Sequence, residues 1–210
     1  MKALLATLGF SLGGAAAAAL FGHAEQPARV AGRPSVNASP LPGRIAIGPA
    51  ELKQAYAADL IDRPITTVLD VRSPMAYGDF RWDDKGVPAG PTWVRVDLRA
   101  QLISVFRSGQ EIGTAVILYG ADGVPTPTGK FPILSKTRNH RSRTYNNAPM
   151  PYSLWLTRDG VAIHGSNVRW GFATHGCVGV PTAFAAKLFA SLTVGDDVLI
   201  VPAKARSRKI

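Results

Sequence analysis

From residue 93 onward, apolar residues alternate with polar ones or run in short blocks, and glycine, proline or aspartate interrupts every block. Trp93-Val94-Arg95-Val96-Asp97-Leu98 places Val94, Val96 and Leu98 on one face of an extended strand, and Leu102-Ile103-Ser104-Val105-Phe106 follows at hairpin distance. Residues 115–119, 131–134, 153–156, 161–164 and 198–201 have the same texture. Ser108-Gly109, Asp122-Gly123, Asp159-Gly160 and Gly195-Asp196 supply turns between them. Short strands so punctuated predict a mainly β domain, a sandwich or barrel-like mixed sheet. One segment has helical period instead: over 182–192, Phe184, Leu188 and Leu192 recur at i, i+4 and i+8, with Ala185 and Phe189 beside them. Thr182 stands where a cap would, and this helix is expected to close the sheet.

The first half of the chain is less regular. Residues 51–61 have the spacing of an amphipathic helix and 65–71 that of a short strand, so 44–92 is expected to be a small N-terminal α/β appendage, with no role legible in it. Pro27, Pro34, Pro40 and Pro42 among small polar residues make 25–43 a linker. Ahead of it, Lys2 precedes an uncharged run rich in Ala and Gly that ends near Gly22-His23-Ala24. That is the layout of a secretory signal over 1–24, and it places the rest of the chain outside the cytoplasm, in the periplasm or cell wall. The same run also has the length of an uncleaved anchor, and only then is a membrane a partner. Residues 203–210 read as a basic tail.

At 210 residues, 46% hydrophobic and 18% charged, the chain can fold one domain of ordinary size with extra segments. Its 24 basic against 14 acidic residues leave +10, which attracts polyanions. Nucleic acid is excluded as the partner because no reading motif accompanies the charge and the basic residues are scattered. With a single cysteine, Cys177, no internal disulfide can form.

Chemistry concentrates in Val161-Ala162-Ile163-His164-Gly165-Ser166 and in Thr174-His175-Gly176-Cys177-Val178-Gly179. A thiol is a nucleophile as thiolate, and a nearby imidazole removes its proton. His164 ends a strand, so its ring is held by a rigid element, and the backbone around Gly165 can accept from the ring nitrogen that faces away from sulfur. His164 is therefore the expected base. If the cysteine segment is extended, His175 shares a face with Cys177 and lines the pocket. The N–H groups of Gly176 and Cys177 are placed for an oxyanion hole. Two His and one Cys lack the fourth ligand of a structural zinc site, so no metal is expected.

These motifs resemble the signature of the L,D-transpeptidase family, the YkuD-like catalytic domain: His164-Gly165, a spacer, then Thr174-His175-Gly176-Cys177 and an apolar residue. Upstream, Val96-Asp97-Leu98 with residues 101–106 resembles the family's opening hairpin, and Thr126-Pro127-Thr128-Gly129-Lys130-Phe131 its Thr-Pro-x-Gly-x-Phe loop. The similarity spans about 93–202. It implies a mixed β-fold with one or two helices and an enzyme that cross-links peptidoglycan stem peptides 3-3, or attaches wall proteins, and takes carbapenem-type inhibitors. It implies Cys177 as nucleophile, His164 as proton acceptor and donor, and Thr174, His175, Gly176, Gly165 and Ser166 as the pocket and oxyanion shell, with no metal or organic cofactor. The chain departs from the pattern at Gly179, where many members carry Arg or Asn, and Arg138, Arg158 and Arg169 are the candidate replacements. Two other readings remain: an L,D-carboxypeptidase or endopeptidase with water as acceptor, and a non-catalytic peptidoglycan-binding module with Cys177 buried. Trp155 and Trp170 read as core or pocket wall. Residues 138–143 read as a solvated loop, or more sharply as a lid.

Overall fold

Val94 and Val96 are fully buried while Trp93 is buried on the opposite face, so this strand is covered on both sides. It belongs to a computed structural model that describes residues 40–203. The signal-like run 1–24, most of the linker 25–43 and the tail from 204 lie outside the described residues.

In chain order the elements are β1 (Arg44–Ala46), α1 (Pro49–Ala57), β2 (Thr67–Leu69), β3 (Phe80–Trp82), β4 (Thr92–Asp97), β5 (Leu102–Arg107), β6 (Gln110–Val116), β7 (Gly129–Pro132), β8 (Ser135–Arg141), β9 (Pro149–Trp155), β10 (Ala162–Ser166), β11 (Val178–Pro181), α2 (Thr182–Ser191) and β12 (Asp197–Val201). Among the described residues the strands form two sheets. The larger runs β1-β2-β6-β5-β4-β12-β7, with β3 also on β6, and the smaller runs β11-β10-β9-β8. The mainly β expectation holds. The expected hairpin is β4–β5, paired from Thr92↔Arg107 to Asp97↔Leu102. Between β5 and β6, Ser108 and Gly109 have φ of 49° and 78°, the two positive values a two-residue hairpin turn of type I′ needs.

One continuous core joins the sheets. Val94, Val96, Ile103, Val105 and Ile112 meet Leu154, Ile163, Val178 and Val180 across it, and Phe184, Leu188 and Leu192 from the α2 region close one side. Thr182 does not cap α2. Pro181 holds the cap position without a side-chain bond, and the C-terminal carbonyls of Phe189 and Leu192 instead accept from Lys136. Phe80 and Trp82 of β3 pack against Phe184 at 5.8 and 5.6 Å. Gly113 stands mid-strand in β6 because a Cβ there would fall 2.4 Å from the Trp82 ring.

The segment 44–92 continues the larger sheet with β1, β2 and β3, and the rest of it covers that sheet's outer face. There Trp93 and Phe106 stack at 4.7 Å, with Ile61 buried beside them and Leu52, Ala55, Ile65 and Val68 packed around. Arg63 lies over the Trp93 ring and pairs with Asp62 and Asp197 at 2.7 and 2.8 Å. The Arg63 guanidinium, aided by Lys130, holds the Asp62 carboxyl down at about 2. The helix expected over 51–61 is shorter and none of its residues is buried, because the chain breaks at Asp59 with φ 55°. Deeper in, Arg44 bonds the carbonyls of Glu111 and Asp83, and the Glu111 carboxylate takes the Leu69 N–H at 2.7 Å, tying β1 and β2 to β6.

The polar stretch expected as a solvated loop over 138–143 is in the main the edge strand β8, paired with β9 from Ser135↔Trp155 to Arg141↔Pro149. Backbone bonds to one neighbour sustain an edge strand whose side chains stay wet, so no apolar alternation marks it.

Trp93→Ala should lower unfolding free energy by about 3–5 kcal/mol, measured by urea titration, because it empties the centre of the outer cluster. Arg63→Ala should cost about 1 kcal/mol or less. A Trp93→Ala loss no larger than that of Arg63→Ala would mean that the stack does not hold the segment down.

Candidate active site

Strand β10 alternates as it crosses the core: Ile163 faces inward and His164 faces a cleft, with 7% of its surface exposed. His164 Nδ1 lies 2.9 Å from the Gly165 carbonyl, which can only accept, so Nδ1 carries the proton and Nε2 keeps its lone pair. Ser166 Oγ stands 3.4 Å from the same nitrogen. Burial pulls the imidazole pKa below its usual value, the Gly165 carbonyl opposes this, and nearby His140 lowers it further. The ring is neutral at pH 7.

The cysteine segment is suspended from the larger sheet. Thr174 N–H donates to the Tyr119 carbonyl at 2.9 Å and the Thr174 carbonyl accepts from Ala121 at 3.0 Å. Leu118 and Gly179 then exchange backbone bonds of 2.8 and 2.9 Å, joining the two sheets. Between these anchors, Thr174 Oγ1 donates to the Cys177 carbonyl at 2.5 Å, and Thr126 Oγ1 reaches the same oxygen at 3.4 Å while accepting from Gly120 N–H at 2.9 Å. Gly176 has φ 101°, a turn that favours glycine. Neither the Gly176 N–H nor the Cys177 N–H meets an acceptor among the described residues.

The half-buried Cys177 Sγ bonds the Gly160 carbonyl at 3.6 Å, and makes no hydrogen bond to His164. Burial pushes the thiol pKa up, opposed by the backbone at Ala162. Both side chains line one cleft of about 1690 Å³.

The other expected site residues take distinct places. The turn at Gly176 breaks the extended run, so His175 does not share a face with Cys177. It lines the cleft by stacking on Tyr145 at 3.9 Å and 14°. Thr174 lines the cleft with its hydroxyl donated to the Cys177 carbonyl. Gly165 is buried where a Cβ would meet Pro151 and Thr182 at 3.0–3.2 Å. At Gly179 a Cβ would lie 2.9 Å from Ser166 Oγ, so Ser166 occupies the room a side chain there would need.

Of the candidate arginines, Arg158 lines the cleft, and Arg143 joins it. Arg138 instead lies over the Tyr152 and Phe189 rings, and Arg169 bonds Asn167. The loop 142–148 between β8 and β9 borders the cleft. Trp155 is in the cleft wall, whereas Trp170 is neither core nor cleft wall but 81% exposed. Thr126 and Tyr145 were not singled out as site residues. The Thr-Pro-x-Gly-x-Phe motif was the signal for Thr126, and Tyr145 had none. Among the described residues no group of three or more His, Cys, Asp or Glu side chains is placed to share a metal ion.

A family model described as YkuD, L,D-transpeptidase catalytic domain, matches residues 91–200. L,D-transpeptidase 1 of Mycobacterium tuberculosis is 29% identical over 137 residues, covering 56% of this chain and 53% of that protein. The chain thus spans about half the length of the curated relatives it matches. The crystal structure of an L,D-transpeptidase from Stackebrandtia nassauensis superposes at TM-score 0.50 with 26% identity, over 55% of this chain and 57% of that one. An L,D-transpeptidase solved in complex with imipenem superposes at TM-score 0.48 with 27% identity, over 52% and 58%. The family model covers just over half of the sequence, both cleft-lining motifs included, and the chain belongs to the YkuD family of L,D-transpeptidase catalytic domains.

Proposed function

We propose that this chain is an exported cysteine L,D-transpeptidase of the periplasm or cell wall, acting on peptidoglycan stem peptides. The observation that carries the reading is one open cleft containing a thiol, a neutral imidazole with its Nδ1 already engaged, and two unclaimed N–H groups beside the thiol.

The chemistry follows from those groups. His164 Nε2 takes the Cys177 proton as sulfur adds to the carbonyl of the third stem residue. The oxyanion draws on the Gly176 and Cys177 N–H groups. Collapse breaks the C–N bond, and the departing D-alanine amine takes its proton from His164, leaving a thioester. An amine of a neighbouring stem then attacks, gives its proton to His164 and releases the thiol, forming the 3-3 cross-link. Before this the thiol turns from the Gly160 carbonyl toward Nε2, since hydrogen bonds of this kind tighten in the substrate complex. If water resolves the thioester, the same residues give an L,D-carboxypeptidase or endopeptidase, and the product distinguishes the two. A non-catalytic wall-binding module fits less well, because it gives no reason for the thiol to open on a cleft beside an oriented base.

Incubation with a carbapenem should give one covalent adduct by intact mass. The adduct should be absent in Cys177→Ala and formed on the order of 100-fold more slowly in His164→Ala. Folded protein that forms no adduct would refute the enzyme reading.

The pH profile tests the resting state. Burial lowers His164 and raises Cys177, so at pH 7 the pair is thiol and neutral imidazole. The acylation rate should rise as pH passes up through the lowered His164 pKa and then stay level until the thiolate, whose formation burial pushes to higher pH, appears in alkaline solution. A single rise in alkaline solution, with no limb at lower pH, would mean that His164 is not the base.

Thr126→Val and Thr174→Val keep side-chain volume but remove the donors to the Cys177 carbonyl. Each should slow acylation by on the order of tenfold while leaving the low-pH limb in place, followed by time-resolved mass spectrometry. Rates equal to the unaltered chain would show that the cysteine loop holds its position without them.

A further inference from the structure

The segment between β10 and β11 turns two aromatic rings into solvent on a fixed mount. Val168 is buried against Val116 and Leu118, with Met75, Tyr77 and Leu102 around it, which anchors the segment. Gly171, at φ 78°, reverses the chain, and the Phe172 N–H closes the turn on the Arg169 carbonyl at 3.3 Å. Trp170 and Phe172 then stand 81% and 63% exposed. The Trp170 ring is not loose. Tyr77 meets it edge-on at 5.7 Å and is itself fixed by a 2.7 Å bond from its hydroxyl to Gln101.

Apolar rings held exposed in this way mark a surface that meets a ligand. Phe172 and Asn167 also line the cleft that holds Cys177, so the surface is continuous with the site of acyl transfer. Its chemistry is mixed: two flat aromatic faces beside an amide and a guanidinium, with Arg169 Nε donating to Asn167 Oδ1 at 3.0 Å. A pyranose ring has the matching character, an apolar C–H face with a rim of hydroxyl and acetamido groups.

This inference rests on the proposed function. On that reading the acyl donor is a peptide joined to an amino sugar, and three extended residues span at most about 11 Å. The sugar must therefore lie close beside the cleft when the third residue reaches Cys177. We propose that Trp170 and Phe172 form a platform for the amino-sugar glycan strand that carries the stem peptide, with Asn167 and Arg169 meeting its polar rim. A membrane surface is less well matched, because Val168, the one branched aliphatic residue between β10 and β11, is turned inward and the rings stand beside an amide and a guanidinium. A second copy of the chain is less well matched too, since two rings fall short of the roughly 1,200 Å² that a stable interface buries.

The test is titration of the full chain with short, soluble, peptide-free glycan strands by calorimetry, with anionic lipid vesicles and sedimentation velocity in parallel. Saturable glycan binding should weaken on the order of tenfold in Trp170→Ala, less in Phe172→Ala, and persist in Trp170→Tyr. Unchanged melting curves would show that the variants fold. Equal glycan binding by Trp170→Ala and the unaltered chain would overturn the platform. So would Trp170-dependent binding to vesicles but not to glycan, or a Trp170-dependent dimer. The two readings fail separately: a Cys177 adduct with no glycan binding removes the platform alone, whereas Trp170-dependent glycan binding without an adduct removes the enzyme reading and leaves the platform standing.

Discussion

Two threonine hydroxyls converge on the carbonyl of Cys177, and the arrangement of the cleft depends on that clamp. Thr174 is held by the chain that continues from β6, and Thr126 by Gly120 on the same stretch. The backbone exchange between Leu118 and Gly179 sits beside them, at the start of β11. The cysteine loop is thus tied to the larger sheet on one side and runs on the other into β11, which pairs with the His164 strand β10 in the smaller sheet, His164 opposite Gly179. Relative placement of thiol and imidazole is set by that β10–β11 register and by the shared core of Ile163, Val178 and Val180 against Ile103 and Ile112. Because the clamp uses the carbonyl of Cys177, the N–H groups on the other side of the loop are left for a ligand.

Burial acts on the two reacting groups in opposite senses and gives one outcome. It disfavours imidazolium at His164 and thiolate at Cys177, so the resting pair carries no charge. A neutral pair avoids the cost of holding two ions in a partly desolvated cleft. Under the proposed function, it assigns the work to proton transfer during attack rather than to a standing thiolate. The Gly165 carbonyl is what makes this usable, since it holds the proton on Nδ1 and leaves Nε2 bare. Ser166 adds a second polar contact at that nitrogen, and its side chain is also what closes position 179 to anything larger than glycine. One residue therefore shapes both the base and the floor beside it.

The sequence made the central strands and the two cleft-lining motifs legible for the same reason: both rest on local pattern. Alternation around Val94 and Val96, the turn at Ser108-Gly109 and the period of Phe184, Leu188 and Leu192 are properties of neighbours along the chain. The thiol and imidazole stood out because their motifs are short and contiguous. What stayed hidden needs distant partners. β8 is polar throughout and owes its existence to β9, β11 is four residues long, and β1 and β3 are three each. The segment 44–92 had no visible role because its purpose is to cover Trp93 and Phe106, which a one-sided reading of β4 leaves on the solvent face. His175 does line the cleft, but by way of the turn at Gly176 and the stack on Tyr145 rather than an extended segment. Trp170 was taken for core or pocket wall on its size alone, whereas its neighbour Val168 supplies the burial.

The β8–β9 hairpin shows how an unremarkable polar stretch comes to bear on the site. Its base is fixed by pairing with β9 and by Lys136, whose ammonium reaches the terminal carbonyls of α2 and lies over the Phe189 ring. Lys136 does for α2 what no residue within the helix does, since its last turn carries no basic side chain. Farther along, His140 stands edge-on to Trp155 and lines the cleft, and beyond β8 the loop carries Tyr145 onto His175. His175 is bonded to Gly176, one residue from the nucleophile. The hairpin thus meets the cleft at two points, through Tyr145 at the residue before the Gly176 turn and through His140, whose charge acts on His164. The cleft thus joins a rigidly held imidazole to a cysteine loop whose outer edge is shared with a projecting hairpin.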